Sequence, residues 1–297
     1  MKVPQKTAVV HLVSPVTARR DDCYRLTAFS RMLFRNKGCL RMVRRRSKMR
    51  TRREFIVLLG GAAAVRRSSA QDRPARILYF THSAGYRHDV IPTSRDVLQR
   101  IGATADFQIT MSEDVAAFTT ENLLRYGGIM FFTTGELPMS NAQRVALTDF
   151  IQAGGGFLGV HSATDTFYQW PEYRKIIGGY FDQHPWHQAV VVEVTDRDDP
   201  LVAFLGETIA VTDEIYQIRD FDVGGSRVLL RLDPTSVDLT QPNVHRHPYG
   251  WPLAWTRSYG VGRVFYTALG HEEGVWRDPR FQMLLRNAAL WVLRKPA

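Results

Sequence analysis

From residue 76 onward the apolar positions follow two alternating rhythms. Arg76 to Thr81, Phe107 to Thr110, Gly128 to Thr133 and Phe157 to Val160 are short, nearly unbroken apolar runs, the pattern of strands buried on both faces. Between them the apolar residues are spaced for helices. One opens at Pro92 and runs through Val97 and Leu98, a turn covers Thr119 to Leu124, and another is capped by Ser140 and has Ala146, Leu147, Phe150 and Ile151 on one face. A β-α-β-α order with continuous apolar strands predicts a doubly wound parallel sheet with helices on both sides. The second half is richer in strands, at Ala189 to Val194, Glu214 to Ile218, Val228 to Leu232, Leu253 to Arg257 and Val264 to Leu269. A last helix carries Phe281, Leu284, Leu285, Ala288, Ala289 and Val292. No repeat or low-complexity linker interrupts this part, so residues 71–297 read as one domain.

The stretch Gly154 to Asp165 organises the rest: three glycines, the apolar run Phe157 to Val160, then His161, Ser162, Ala163, Thr164 and Asp165. A buried strand that ends on such groups presents them at its carboxyl edge, where open parallel sheets hold their ligands. Gly159, Val160, His161, Ser162 and Ala163 also have the shape of a nucleophile elbow, small-x-nucleophile-x-small. Its middle residue is histidine, and Ser162 sits one place late for a serine hydrolase.

Histidines recur at comparable places: His82 after the first strand, His161 after the central one, His271 after the last, and His184 and His187 in the loop expected after Gly178 and Gly179. Strand ends of a parallel sheet lie side by side, so His82, His161, His184 and His271 can converge, and neutral imidazole is a ligand for Zn, Mn or Ni. Asp165, Asp182 and Glu272 could add carboxylates; His187, His245 and His247 rank lower. Trp170, Trp186, Trp251 and Trp255 flank polar loops, where an aromatic face suits a sugar or simply packs the core. Gly154 to Gly156 precedes its strand, whereas phosphate loops follow one, so neither NAD nor ATP is expected.

Charge changes the picture only at the amino end. Nineteen of the 39 Lys and Arg, but four of the 29 Asp and Glu, fall in residues 1–75, giving that segment +15 and the remainder −5. The domain itself is mildly acidic, which argues against nucleic acid as a partner. Thr51, Arg52, Arg53, Glu54 and Phe55 open a twin-arginine pattern, followed by an apolar run from Phe55 to Val65 and a small-residue site at Ser68 to Ala70. That run is 11 residues, short of the ~20 a spanning helix needs, so residues 49–70 read as an export signal and no stable membrane insertion follows processing. The expected location is periplasmic or secreted. Met49 is the expected initiator, with residues 1–48 an over-extended, disordered start. Cys23 and Cys39 both lie there, leaving no disulfide or thiol nucleophile in residues 71–297.

The residues Gly159 to Asp165, Gly178-Gly179-Tyr180-Phe181 with His184-Pro185, Asp213-Glu214-Ile215-Tyr216, and Pro252 to Trp255 with Tyr259, Gly260, Gly262, Arg263, Phe265, Tyr266 and Gly270-His271 together resemble the ThuA-like, or trehalose-utilisation, family, from about Arg76 to Leu293. The resemblance implies an α/β fold of flavodoxin type, doubly wound and mostly parallel, related to class I glutamine amidotransferases and extended by extra strands in the second half. It also implies work on disaccharides or their 3-keto derivatives. His161 stands where the amidotransferase cysteine would be, so glutamine hydrolysis is not expected, and Asp199-Pro200 replaces the His-Pro of many relatives.

The resulting expectation is an exported carbohydrate-active protein whose His-rich crevice performs metal-assisted proton transfer or cleavage, as a sugar hydrolase, lyase or isomerase. His161 and a carboxylate base, Glu214 or Asp165, form its catalytic set, and Arg87, Tyr216 and Trp255 bind the sugar. His82, His161, His184 and His271 hold a divalent metal. A sugar-binding accessory subunit of a sugar oxidoreductase is the alternative, and a Ser162 hydrolase is the third.

Overall fold

The computed structural model describes residue 73 and residues 75–296. The export signal, Met49 and both cysteines lie outside the described residues. Among the described residues there are nine strands in one sheet and six α-helices. The chain runs β1 (Arg76–Phe80), α1 (Ile91–Thr104), β2 (Gln108–Ser112), α2 (Thr120–Leu123), β3 (Gly128–Phe131), α3 (Asn141–Gln152), β4 (Gly156–Val160) and α4 (Pro171–Ile177). It continues through β5 (Tyr180–Val194), β6 (Thr208–Arg219), β7 (Ser226–Leu232), β8 (Pro252–Tyr259), β9 (Gly262–Thr267), α5 (Glu273–Arg277) and α6 (Pro279–Val292).

The helix starts follow their local chemistry. Ser140 and Gln143 form a reciprocal capping box on α3, and Pro92 lies in the first turn of α1. α4 ends on Gly178 with φ +105°, where a Cβ would stand 2.8 Å from both Trp255 Nε1 and Arg257 Nη1. Only glycine fits that left-handed corner.

Strand order is β2-β1-β3-β4-β9-β8-β7-β5-β6. The first five strands pair in parallel and the rest antiparallel, so the sheet is a flavodoxin-type parallel half joined at β9 to an antiparallel half. Every residue of β3 and β4 is buried, as unbroken apolar runs require. Gly156 and Gly159 point to opposite faces of β4. A Cβ on Gly156 would strike Val292 of α6, and one on Gly159 would approach Ile177 of α4, so helices lie on both sides.

The sequence placed His184 and His187 in a loop, but both belong to β5. Only Val192 to Val194 of that strand pair with β7; the remainder pairs with β6 alone and carries irregularities between Phe181 and Trp186. A two-stranded ribbon running past its sheet needs no strict apolar alternation, which is why the polar run Asp182 to His184 masked a strand. This overhang brings β5 and β6 residues to the carboxyl ends of the parallel strands.

Candidate functional site

At the end of β4 the backbone turns sharply. His161 has φ +47°, a left-handed conformation unusual for a side-chain-bearing residue. The turn needs small neighbours: a Cβ on Gly159 would lie 2.9 Å from Tyr266 Cδ2 and 3.1 Å from Ala163 Cβ. This is the elbow geometry of a strand-end nucleophile, here presenting an imidazole. His161 is fully buried. Its Nδ1 lies 2.8 Å from the Ala268 carbonyl, which can only accept, so Nδ1 carries the proton and Nε2 keeps a lone pair when the ring is neutral. The Tyr216 hydroxyl lies 2.9 Å from Nε2. Burial pushes that phenol well up, keeping its proton.

Two more polar groups converge on Nε2. His271 Nδ1 lies 3.2 Å from it, Glu214 Oε2 3.4 Å from it, and the last two are 3.2 Å from each other. His88 completes the group: one ligand atom from each of His88, His161, Glu214 and His271 lies within 4.8 Å of the others. Burial, helped by the charges of His161 and His271, holds His88 down at about 3, so it is neutral at physiological pH. Burial alone would raise Glu214, but hydrogen bonding with His161 and His271 outweighs it and holds the carboxyl well below its usual range. Its hydrogen bond to Glu214 raises His271.

The donors are held from behind. Glu214 and Tyr216 are two apart on β6 and share a face. Asp213, on the opposite face and fully buried, accepts the backbone N–H groups of Gly270 at 2.7 Å, His271 at 3.1 Å and Glu272 at 2.9 Å. It thereby fixes the loop after β9. His184 Nδ1 sits 3.1 Å from Glu214 Oε1, on the solvent side. His88 and His271 also line a cavity of about 360 Å³ with Tyr86, Asp89, Thr93 and Glu272, large enough for a sugar ring by the usual scale of ligand pockets.

The sequence-predicted residues divide accordingly. His161, His271, Glu214 and Tyr216 meet, with His184 at their edge. His82 does not join them: its Nδ1 donates to the Glu113 carbonyl at 2.8 Å. Arg87 makes a two-pronged ion pair with Glu113, at 3.0 and 2.9 Å, and lies on the exposed side of its loop. Trp255 is fully buried, its Nε1 donating to Ile177 O at 2.8 Å, so its face packs the core and meets no solvent. Asp165, on the same turn as His161, accepts from the Tyr168 hydroxyl at 2.6 Å, and burial raises its carboxyl. Ser162 Oγ is buried without a hydrogen-bond partner, so no base among the described residues is placed to activate it. His88 was missed as a ligand. It stood in the polar loop after β1, but His82 was nearer the strand end, and only the loop's return brings the later histidine inward.

A doubly wound α/β protein with a buried histidine-carboxylate centre at its strand ends is thus defined. The chain matches the ThuA family, described as trehalose utilisation, over residues 76–292, and it belongs to that family, which ties it to sugar metabolism. Among solved structures it is similar to a ThuA-like protein of Bacteroides uniformis, at 26% identity and a TM-score of 0.64, covering 74% of this chain and 92% of that one. A ThuA-like protein of Parabacteroides merdae shares the fold at 20% identity and a TM-score of 0.59, covering 74% and 90%. No curated protein matches the chain.

Proposed function

We propose that the protein is a metal-dependent enzyme acting on a disaccharide or keto-sugar, with His88, His161, Glu214 and His271 as ligands of one divalent ion. The observation that carries this is the triangle of 3.2, 3.4 and 3.2 Å between His161 Nε2, Glu214 Oε2 and His271 Nδ1. A tetrahedral ion with bonds of 2.0–2.1 Å separates its ligand atoms by about 3.3 Å. The neutral tautomer of His161 set by the Ala268 carbonyl directs its Nε2 lone pair inward and His88 is neutral, while Glu214 is ionised and an ion would displace the ring protons that His161 and His271 otherwise share with it. Imidazole with one carboxylate suits Zn, Mn or Ni.

Such an ion supplies Lewis acidity toward a sugar carbonyl or hydroxyl. The residues supply the rest. Glu214, held far below the usual carboxylate range, is a weak base and serves as ligand. Asp165, raised by burial above the usual carboxylate value, is the stronger base of the two. The Tyr216 hydroxyl, 2.9 Å from His161 Nε2, keeps its proton and would donate it as a hydrogen bond to a sugar oxygen at the centre. Tyr86, 64% exposed on the cavity wall, offers an aromatic face for the ring. Twin-arginine export of an already folded, metal-loaded protein completes the proposal, and replacing Arg52 and Arg53 with Lys should hold the protein inside the cell.

The test is metal content of the purified protein by plasma mass spectrometry, with turnover of disaccharides and their keto derivatives. Wild type should carry near-stoichiometric metal, and His161→Ala and His271→Ala should lose both metal and turnover. A wild type free of metal after incubation with Zn²⁺, Mn²⁺ and Ni²⁺ would overturn the reading in favour of a sugar-binding accessory subunit.

A further inference from the structure

We infer that the protein carries a second cation position, outside the first, formed by His187, His271 and Glu272, and that it takes a divalent transition-metal ion which binds sugar oxygens. This rests on the inner centre proposed above, because His271 belongs to both. One ligand atom from each of the three residues lies within 4.8 Å of the other two. His187 Nε2 stands 2.7 Å from Glu272 Oε1, and the His187 and His271 rings are 5.2 Å apart at 74°.

The backbone couples the two groups. His187 lies opposite Glu214 in the β5–β6 register, and Glu272 follows His271 in the loop that Asp213 holds. Each outer residue is therefore a direct neighbour, by strand pairing or by sequence, of an inner one. An exposed His–Glu pair alone would mean little. What distinguishes this one is the shared ring: His271 turns Nδ1 inward, 3.2 Å from both His161 Nε2 and Glu214 Oε2, and its Nε2 lies on the far side of the ring, so that with both ring protons released to solvent on metal binding the imidazolate would hold one ion at each nitrogen.

An imidazole, the bridging imidazolate and a carboxylate suit the same ions as the inner set, and three protein ligands leave positions open, as in catalytic rather than structural sites. His271 and Glu272 line the 360 Å³ cavity, so the open positions face the space assigned to the sugar. Ions bonded at about 2.1 Å to opposite nitrogens of one ring stand about 6 Å apart. That exceeds the ~3.5–4 Å of paired ions that share one nucleophile. The outer ion accordingly anchors vicinal hydroxyls of a sugar while the reaction proceeds at the inner centre.

The experiment titrates metal-free full-length protein with Zn²⁺ alone, counts bound ions by equilibrium dialysis and plasma mass spectrometry, and records electron paramagnetic resonance after loading with Cu²⁺. Wild type should bind two Zn²⁺ per chain. His187→Ala and Glu272→Gln should each bind one, with the outer affinity lowered at least tenfold. Magnetic coupling between two Cu²⁺ ions, through the bridging ring and across about 6 Å, should appear in Cu²⁺-loaded wild type and vanish in His187→Ala. The His187 and Glu272 side chains are 48% and 41% exposed, and retention of the inner ion reports that each variant is folded. One Zn²⁺ per chain in wild type, or two that survive His187→Ala, would overturn the outer site and leave the inner centre standing. No Zn²⁺ in wild type would remove both.

Discussion

Asp213→Asn should loosen the site from behind without touching a ligand. The carboxylate divides its work: Oδ1 accepts from His271 and Glu272, and Oδ2 accepts from Gly270 at 2.7 Å. Asparagine keeps one carbonyl oxygen, which can serve the first pair. Its amide nitrogen then takes the place of Oδ2 and points a donor at the Gly270 donor. One charge-assisted bond, worth about 1.5–3 kcal/mol, is lost, and a buried amide is left unpaired at a further cost of about 1–3 kcal/mol. Relief of burying a charge offsets part of this, leaving a net destabilisation of about 2–3 kcal/mol. For a folded region of this size each kcal/mol lowers the melting temperature by about 2–4 °C, so calorimetry at neutral pH should show a fall of about 4–12 °C. Because the same bonds aim His271, Zn²⁺ affinity should fall about 10- to 100-fold. An Asp213→Asn protein that melts within 1 °C of wild type would refute the view that this carboxylate holds the loop after β9.

Glu113, between Arg87 and Arg95, is held at about 2 rather than the usual 4.5, chiefly by its hydrogen bond from Arg87. Its folded value lies below its unfolded one, so the stabilisation is present above about pH 4.5 and is lost as the pH falls toward 2. Discounted for an exposure above one third, it amounts to about 1 kcal/mol. Urea unfolding of Glu113→Gln should show that deficit at pH 7 and almost none at pH 2. Gly159→Ala should cost about 1–3 kcal/mol by overpacking, since Tyr266 and Ile177 stand 2.9 and 3.0 Å from the added carbon; a variant with unchanged denaturant midpoint would contradict this. Tyr168→Phe removes the hydroxyl that lowers Asp165, so the acid limb of the activity–pH profile should move to higher pH, and no movement would take Asp165 out of the role of base.

The parallel half was legible because its strands are unbroken apolar runs and its helices carry their own caps, as Ser140 and Pro92 do. The elbow could be read from Gly159, His161 and Ala163, since its sterics are local. β5 could not be read as a whole: before Val192 it pairs with one neighbour and faces a crevice, so the polar stretch around His184 lacks the period that marks a strand. The site was half legible for a related reason. His161 and His271 end strands and announce themselves, whereas His88 reaches the centre only because its loop returns over the sheet edge. Trp255 illustrates the opposite error, an aromatic beside polar residues whose indole is spent on a backbone carbonyl inside the core.

The position of β9 bears on how the molecule is made. It is the last strand in the chain, yet it lies in the middle of the sheet, between β4 and β8. Before it arrives the chain has two separate sheets, each with a raw edge open to pairing with another chain. Joining them matches Phe157 with Val264 across more than a third of the sequence, a non-local step of the kind that slows folding. His271 follows directly after that strand. A chain arrested short of β9 would lack both the closed sheet and the ligand it delivers, so sealing the seam and completing the site are one event in the life of the nascent protein.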